Sequence, residues 1–339
     1  MERVDAQVPE TEVERRAERT FGVRGRAERL TGERDQNFRL QAEGGEAYIL
    51  KISNSAEDAP VTDLQTRALL HMAAADPGLP APKVQPALDG APQARWTLPQ
   101  GETCVVRLFT FLEGMPLYRA EATPALLCAV GEALARVDLA LADFRHPADG
   151  HDLLWDLQHA VRLRELAGAI DDADVRGLAE AGLALFAEAA APKLPALRAQ
   201  LIHNDLNPHN VLVAADGAPV VTGILDLGDA VRAPLVNDVA VAAAYHVGDG
   251  ADPLGGVAAL LRGFHRACPL QDAELDVLVP LIVGRMAMTA AITSWRARSH
   301  AGNRDYIFRN LPASVTGLRQ LLGLGPDAAA GRLRAALEG

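Results

Sequence analysis

The sequence predicts an α+β fold of two parts, a small β-rich part followed by a larger and mostly helical one. Runs of alternating, β-branched and aromatic residues are concentrated in the first 111 residues. From residue 123 onward the spacing of apolar residues is helical, apart from one short hairpin. A length of 339 residues is enough for two parts that each bury a core.

The first part covers residues 1–111 and is predicted to form a small sheet with helices. Its predicted elements are a helix within 11–29, hairpin strands over 37–42 and 47–53, a helix over 63–75 and a strand over 103–111. The turn-forming sequence Glu113-Gly114-Met115-Pro116 ends this pattern. We therefore expect a hinge at residues 112–117.

The second part covers residues 118–339 and is predicted to be helical. Its predicted helices lie over 123–142, 152–168, 172–190, 236–247, 254–267, 272–297 and in a pair beyond 310. The predicted hairpin consists of strands over 211–213 and 220–225, which an Asp216-Gly217 turn separates.

Composition excludes several functional classes. The 33 basic and 44 acidic side chains give a net charge of −11, which argues against nucleic-acid binding and weakly favours a cationic small molecule as partner. The three cysteines have no spacing typical of a disulfide framework or a zinc site. The charged N-terminus has no apolar signal segment, and Arg285 interrupts the longest apolar stretch. We expect a cytoplasmic protein that does not bind membranes.

The chemistry is predicted around the hairpin of the second part. His203, Asp205 and Asn210 fit the pattern H-x-D-x-x-x-x-N, in which the aspartate accepts a proton from an attacking hydroxyl and the asparagine binds magnesium. After the second hairpin strand comes Asp226-Leu227-Gly228-Asp229, which has the form of the magnesium-binding D-x-G of kinases. Together the two motifs predict phosphoryl transfer.

Lys51 is one of only three lysines, beside Lys83 and Lys193, and it alone lies within a predicted strand. Given the motifs above, it occupies the position of the lysine that contacts nucleotide phosphates. A carboxylate partner is expected on the following helix. Asp63 is the first candidate for that partner and Glu57 the second.

The chain resembles the aminoglycoside phosphotransferase and choline kinase-like family of small-molecule kinases, and within it the hydroxylysine kinases. The stretches that carry this resemblance are 35–38, 48–54, 155–157, 201–213, 223–229 and 284–285. It implies a protein-kinase-like fold with an N-lobe and a C-lobe, a nucleotide as phosphate donor, and Mg²⁺.

The resemblance also implies roles for individual residues. Asp205 would be the base, Asn210 and Asp226 the magnesium ligands, and His203 and Asp238 the structural support of the loop. Nucleotide-binding residues would be Lys51 with Asp63, Asn37 in the phosphate-covering turn 32–37, and Glu113 at the hinge. The sequence departs from the family at Asn204, where glycine is usual, and at Leu227, where phenylalanine is frequent.

The expected reaction is transfer of the γ-phosphate of ATP or GTP to a hydroxyl of a small, amine-bearing alcohol. The resemblance favours hydroxylysine and GTP; an aminoglycoside, homoserine or an ethanolamine-like alcohol stays open as acceptor, and so does the oligomeric state. Candidates for contact with the amine of the acceptor are Asp229, Asp156, Trp155 and Trp295.

Two other interpretations stay open at this point. His203, Asp205, His209 and Asp226 could form the metal site of a hydrolase. The chain could also be a nucleotide-binding regulator without catalytic activity, although the full set of Lys51, Asp205, Asn210 and Asp226 argues against it.

Overall fold

A computed structural model describes residues 7–32, 35–99, 101–299 and 304–338. The chain separates into two compact units. The first comprises Met1–Glu113 with His146–Asp149, and the second Gly114–Arg145 with Gly150–Gly339. The boundary falls inside segment 112–117, whose action as a hinge stays a prediction.

The first unit begins with a helix that is shorter than its charge spacing suggested. Helix α1 spans Glu10–Phe21 and ends where Gly22 takes a left-handed φ of 70° and donates its N–H to the Glu18 carbonyl. Glycine adopts this conformation without the steric cost of a Cβ. The chain then forms strand β1, Gly25–Leu30, so the predicted helix over 11–29 was too long.

The first unit is built on an antiparallel sheet. After β1 its strands are β2 (Gln36–Ala42), β3 (Ala47–Ile52), β4 (Val84–Gln85), β5 (Ala94–Thr97) and β6 (Thr103–Thr110). Their order is β1-β2-β3-β6-β4, with β5 also paired to β6. Helix α2 spans Ala59–Ala75 and follows the hairpin as predicted. Alternate residues of β2 and β3, among them Phe38 and Leu50, are fully buried in the core.

The second unit contains two smaller sheets. Its strands are β7 (Met115–Pro116), β8 (Ala199–Ile202), β9 (Val211–Val213), β10 (Val221–Ile224) and β11 (Val231–Pro234). The predicted hairpin is β9 with β10, and β7 adds a third strand to it, while β8 pairs with β11. Strands β7, β8 and β11 have only two to four residues, too few for a recognisable alternation.

Helices make up most of the second unit. They are α3 (Pro124–Leu141), α4 (Ala173–Leu185), α5 (Leu235–Ala243), α6 (Gly255–Ala267), α7 (Asp272–Ser299), α8 (Arg304–Phe308), α9 (Leu311–Leu324) and α10 (Pro326–Glu338). The predicted helix over 152–168 is instead a loop followed by 3-10 turns over Leu157–Ala169. The predicted helix over 172–190 continues α4 through a π-helical turn, Phe186–Ala190. This architecture confirms the predicted α+β class.

Helix α7 is the central helix of the second unit. It is long and apolar enough to cross a membrane, but 94% of its most apolar stretch is buried inside the protein. A helix that is apolar on all sides and buried in this way is a core element. Arg285 lies in its middle and is only 2% exposed.

Candidate active site

The loop after β8 is held by the side chain of His203, which is fully buried. Its Nδ1 accepts a hydrogen bond from the Asp205 N–H at 3.2 Å, and its Nε2 donates to the Leu225 carbonyl at 2.9 Å. Both ring nitrogens are therefore occupied by backbone groups. This arrangement contradicts the hydrolase interpretation, which needs His203 as a metal ligand, and within the described ranges no cluster of three or more His, Cys, Asp or Glu could hold a metal.

Asp238 supports the same loop from the first turn of α5. Its two carboxylate oxygens accept hydrogen bonds from the backbone N–H groups of His203, at 2.8 Å, and Asn204, at 2.7 Å. Asn204 has a left-handed φ of 64°. Glycine and, less readily, asparagine tolerate this conformation, which explains how asparagine can replace the usual glycine here.

A second buried carboxyl group, Asp138 on α3, lies beside Asp238. Neither of its oxygens accepts a hydrogen bond from the described residues. Burial raises the pKa of Asp138 well above its ordinary value, and the negative charge of Asp238 raises it further. The folded protein therefore disfavours the charged form of the Asp138 carboxyl group. Asp138 could not be predicted from the sequence, because nothing within the helical pattern of α3 marks it.

Asp205 is fixed on both sides of its carboxylate. One oxygen, Oδ2, accepts hydrogen bonds from the amides of Asn207 at 2.9 Å and Asn210 at 3.0 Å. The other, Oδ1, accepts one from Arg285 at 3.2 Å. Burial raises the pKa of Asp205 to about 6, Arg285 and the bond from Asn207 lower it, and the charge of Asp226 raises it. The side chain is 24% exposed and thus accessible to a small molecule.

Arg285 is the second residue whose role the sequence did not reveal. In the sequence it stands out as the charge that interrupts the longest apolar stretch and as part of the matching stretch 284–285. Besides Asp205, its guanidinium donates to the Trp155 carbonyl at 3.2 Å and lies 4.9 Å from the centre of the Trp155 ring. A buried guanidinium needs such partners to compensate its lost hydration. Arg285 consequently links the predicted base to the core of the unit.

The two predicted magnesium ligands are brought together by backbone hydrogen bonds. The Leu225 N–H donates to the Asn210 carbonyl at 2.8 Å, which places the next residue, Asp226, beside the loop. The Asn210 amide nitrogen donates to the Asp205 carbonyl at 2.9 Å and to the Asp205 carboxylate. The amide oxygen of Asn210 therefore points away from Asp205. Asp226 is exposed and has a left-handed φ of 63°. An amide oxygen and a carboxylate are donors that suit Mg²⁺.

Lys51, in the first unit, has a different partner from the one predicted. Its ammonium lies 3.0 Å from the carboxylate of Asp35, whose other oxygen accepts the N–H of Asn54 at 3.0 Å. Asp63 instead contacts Gln93, Arg67 and His146. Asp35 is thus a carboxylate partner of Lys51 that the sequence did not suggest, and the predicted partners on the following helix, Asp63 and then Glu57, stay predictions.

The pairing register of strands β2 and β3 explains why Asp35 is the partner of Lys51. Asn37 lies opposite Lys51 across β2 and β3, and Asp35, two residues before Asn37, precedes β2. The Asn37 amide packs against Gly32, where an added Cβ would lie 2.7 Å from its nitrogen. Residues 33 and 34 of the predicted phosphate-covering turn lie outside the described residues. Glu113 is exposed and is the last residue of the first unit's main segment.

The four predicted contacts for the acceptor amine differ in their surroundings. Asp156 is 1% exposed and caps the following 3-10 turns by accepting two hydrogen bonds from Gln158, so it is not available. The Trp155 ring is covered by Arg285. Trp295 follows Arg285 by ten residues on α7, about 15 Å along the helix axis. The charge of Asp229 acts on Arg285. Asp229, Trp155 and Trp295 stay predictions.

The sequence model of the phosphotransferase enzyme family matches residues 26–272. The chain belongs to this family. It is a small-molecule phosphotransferase that acts on hydroxyl groups, and the family resemblance predicted from the motifs is confirmed. The match includes the β2–β3 hairpin, the loop with Asp205 and the segment with Asp226.

Members of the phosphotransferase family with known functions are similar to this chain over different lengths. Hydroxylysine kinase of Xenopus laevis is 28% identical over 83% of this chain and 79% of its own length. Homoserine kinase of Brucella anthropi is 35% identical over 52% of each protein. The solved structure of amicoumacin kinase in complex with AMP-PNP, Ca²⁺ and amicoumacin superposes with a TM-score of 0.67 at 15% identity, covering 91% of this chain and 93% of that one. The last comparison shows that the fold is shared.

Proposed function

We propose that this phosphotransferase transfers the γ-phosphate of GTP or ATP to the hydroxyl of a small amine-bearing acceptor, with hydroxylysine as the first candidate. One observation carries the proposal: a partly exposed carboxylate, Asp205, is held by Asn210 and Arg285 next to Asp226. Such an arrangement can accept a proton and can bind a metal–nucleotide complex beside it.

In the proposed reaction the acceptor oxygen attacks the γ-phosphorus. The bond from that phosphorus to the bridging oxygen breaks, and its electron pair leaves with the nucleoside diphosphate. Asp205 orients the acceptor hydroxyl and takes its proton. Arg285 holds Oδ1 of Asp205 in place during this step, and the amides of Asn207 and Asn210 hold Oδ2. Positioning of this kind supplies most of the acceleration in phosphoryl transfer.

Asn210 and Asp226 would hold Mg²⁺, for which their oxygen atoms are suitable ligands. When bound, the ion neutralises charge on the transferring phosphates. Lys51 would contact the phosphates of the nucleotide, with Asp35 as the partner that orients its ammonium. The similarity to hydroxylysine kinases supports GTP as the donor.

The acceptor is proposed from the family's named members. Hydroxylysine kinase matches most of this chain, and homoserine kinase matches about half of it. Both named substrates carry an amine and a hydroxyl. The net charge of −11 also favours a cationic group on the acceptor.

A panel of acceptors, each tested with ATP and with GTP, would test this function by measuring released diphosphate in a coupled assay. We expect hydroxylysine or homoserine to give the highest kcat/KM. Asp205→Asn should lower kcat by about 10²–10⁴-fold, because it removes the base. Asp216→Asn is the matched control, since Asp216 is an exposed turn residue of the β9–β10 hairpin and asparagine suits the same turn.

Two outcomes would contradict the proposal. Unchanged turnover in Asp205→Asn would exclude the mechanism. A nucleotide-induced rise in melting temperature without turnover of any acceptor would instead support the catalytically silent regulator.

A further inference from the structure

The backbone carbonyl of Trp155 is a shared acceptor for two groups of the candidate active site. It accepts one hydrogen bond from the side-chain amide of Asn204 at 3.4 Å and another from the guanidinium of Arg285 at 3.2 Å. Asn204 directly precedes Asp205, and Arg285 donates to Oδ1 of Asp205 at 3.2 Å. Trp155 therefore contacts both the residue before the predicted base and the cation that holds this base.

The ring of Trp155 lies against the same guanidinium, whose carbon atom is 4.9 Å from the ring centre. Such a contact is strongest where the cation is desolvated, and Arg285 is only 2% exposed. Arg285 donates through Nη1 to the Trp155 carbonyl and through Nη2 to Asp205. Because a guanidinium is planar and rigid, it serves both acceptors only in one orientation, and the adjacent ring restricts it to that orientation.

The turn that carries Trp155 is anchored on the two strands that lead into and out of the loop region. The Asp156 N–H closes this turn by donating to the Leu153 carbonyl at 3.1 Å, and Leu153 packs against buried residues of β8 and β11. The side-chain amide of Gln158 donates to Asp156 at 2.7 Å and to the Arg232 carbonyl of β11 at 3.0 Å. Since β8 runs directly into the loop with the predicted base, one pair of strands determines the positions of both the turn and the loop.

We propose that Trp155 is a positioning residue for Asp205, which acts by fixing the guanidinium of Arg285 and not by contact with the acceptor. The inference rests on the proposed function, in which Asp205 takes the proton of the acceptor hydroxyl. It assigns the Trp155 ring a role in the orientation of the base. Contact of this ring with the acceptor amine is then a competing outcome of the test.

A double-mutant cycle in steady-state kinetics tests this role, with homoserine and hydroxylysine as acceptors and GTP and ATP as donors. Trp155→Leu should lower kcat about 3–10-fold, because it removes the ring that restricts the guanidinium. The KM values for acceptor and nucleotide should change little. In the Arg285→Lys background the same substitution should lower kcat less than about 2-fold, since lysine has no plane for the ring to fix.

Two further substitutions separate loss of the ring from loss of folding. Trp155→Phe keeps an aromatic face and should retain most of the turnover. Trp155→Met removes the ring but fills irregular space with a flexible side chain, and it should reproduce the fall in kcat.

Trp96→Leu is the matched control. Trp96 lies in β5 of the first unit, and the guanidinium of Arg16 is 5.5 Å from the centre of its ring. Because Trp96 is buried, the substitution should lower the melting temperature. It should leave kcat unchanged at a temperature at which the variant is folded.

Two results would overturn the inference and leave the proposed phosphotransfer intact. One is a higher KM for the acceptor with unchanged kcat in Trp155→Leu, which would assign the ring to acceptor binding. The other is an equal fall in kcat with and without Arg285→Lys, which would show that Trp155 acts independently of Arg285. Absence of transfer to any acceptor by the unaltered protein would instead refute the proposed function, and the inference with it.

Discussion

Asp205 is held between a buried cation and two neutral amides, and this explains how a partly buried carboxylate can remain a usable base. Arg285 opposes the rise in the pKa of Asp205 that burial causes, while Asn207 and Asn210 fix the orientation of the carboxylate. Removing Arg285 would leave Oδ1 of Asp205 without this charged donor. The contact partners of Asp205 thus determine both the pKa and the orientation of its carboxylate.

Lys51→Arg should lower kcat/KM about 10–100-fold although it keeps the positive charge. The larger, planar guanidinium cannot reproduce the contact of the compact ammonium with Asp35 at 3.0 Å or its predicted contact with phosphate. Steady-state kinetics with varied nucleotide would measure the change. Lys83→Arg, at an exposed position, is the control and should behave like the unaltered enzyme. Normal activity in Lys51→Arg would disprove the predicted role.

Asp138→Asn should stabilise the protein, and more so as the pH rises. The folded-state pKa of Asp138 is raised, so above the ordinary pKa of about 4 the folded protein binds one proton more than the unfolded chain, and stability falls with pH. Asparagine is neutral at every pH, so it removes this titration. The gain should grow by up to about 1.4 kcal/mol per pH unit.

Urea unfolding at pH 5 and pH 7.5 would measure this difference. Asp172→Asn is the control, because Asp172 is the exposed N-cap of α4 and asparagine caps a helix equally well. A stability gain in Asp138→Asn that does not change with pH would contradict the raised pKa of Asp138.

The residues of the site fall into two groups by how far they could be predicted. Asp205, Asn210 and Asp226 were found because each motif is contiguous in the chain. Arg285 contacts Asp205 across 80 residues of sequence, and Asp138 and Asp35 likewise act through space. Neither composition nor periodicity encodes such contacts, since they depend on how the helices and strands pack.

Helices α3 and α6 approach closely through two buried glycines. A Cβ on Gly131 would lie 1.9 Å from the carbonyl oxygen of Leu260, and one on Gly263 would lie 1.9 Å from that of Cys128. Only the absence of side chains allows the two backbones to approach this closely. Since α3 carries Asp138, this packing also determines where that carboxyl group lies.

Gly131→Ala should therefore destabilise the protein by about 3 kcal/mol, because the helices must separate to admit the methyl group. The free energy of unfolding in urea measures the loss. The same substitution at Gly177, an exposed position of α4 with open space around it, should instead stabilise by about 0.5–1 kcal/mol through helix propensity. Equal effects at both positions would show that the α3–α6 contact is looser than described.

Longer elements were predicted better than short ones. The β2–β3 hairpin, α2, β6 and most helices of the second unit lie within a few residues of their predicted positions. The helix predicted over 152–168 was wrong for the residues before Leu157. Asp156 caps the turns that follow it, and the chain before it is therefore not helical. Strands of two to four residues form only because a partner strand is present, and the local sequence does not specify that partner.

The molecule as a whole should lose stability in mild acid, and one half-buried histidine, His246, contributes to this. Burial lowers the pKa of His246 to about 4, below its ordinary value of 6.5. Between these values the unfolded chain binds the proton and the folded protein does not, so stability falls as the pH decreases from about 6.5 to 4. The total loss from this residue is about 3 kcal/mol.

His246→Gln removes this contribution. The difference between the unfolding free energies of the two proteins, measured from pH 7.5 to pH 4.5, should rise in favour of the variant below pH 6.5. Parallel pH profiles of the two proteins would show that His246 titrates normally in the folded state.

The scarcity of lysine gives the chain a practical property. Lys83 lies in the first unit and Lys193 in the second, and both are exposed, whereas the side chain of Lys51 is 19% exposed and paired with Asp35. Once the N-terminal amine has been blocked, amine-selective dyes should therefore attach first to one lysine in each unit. A donor and an acceptor fluorophore introduced in this way would report the distance between the two units in solution, with and without nucleotide, without any cysteine having to be engineered.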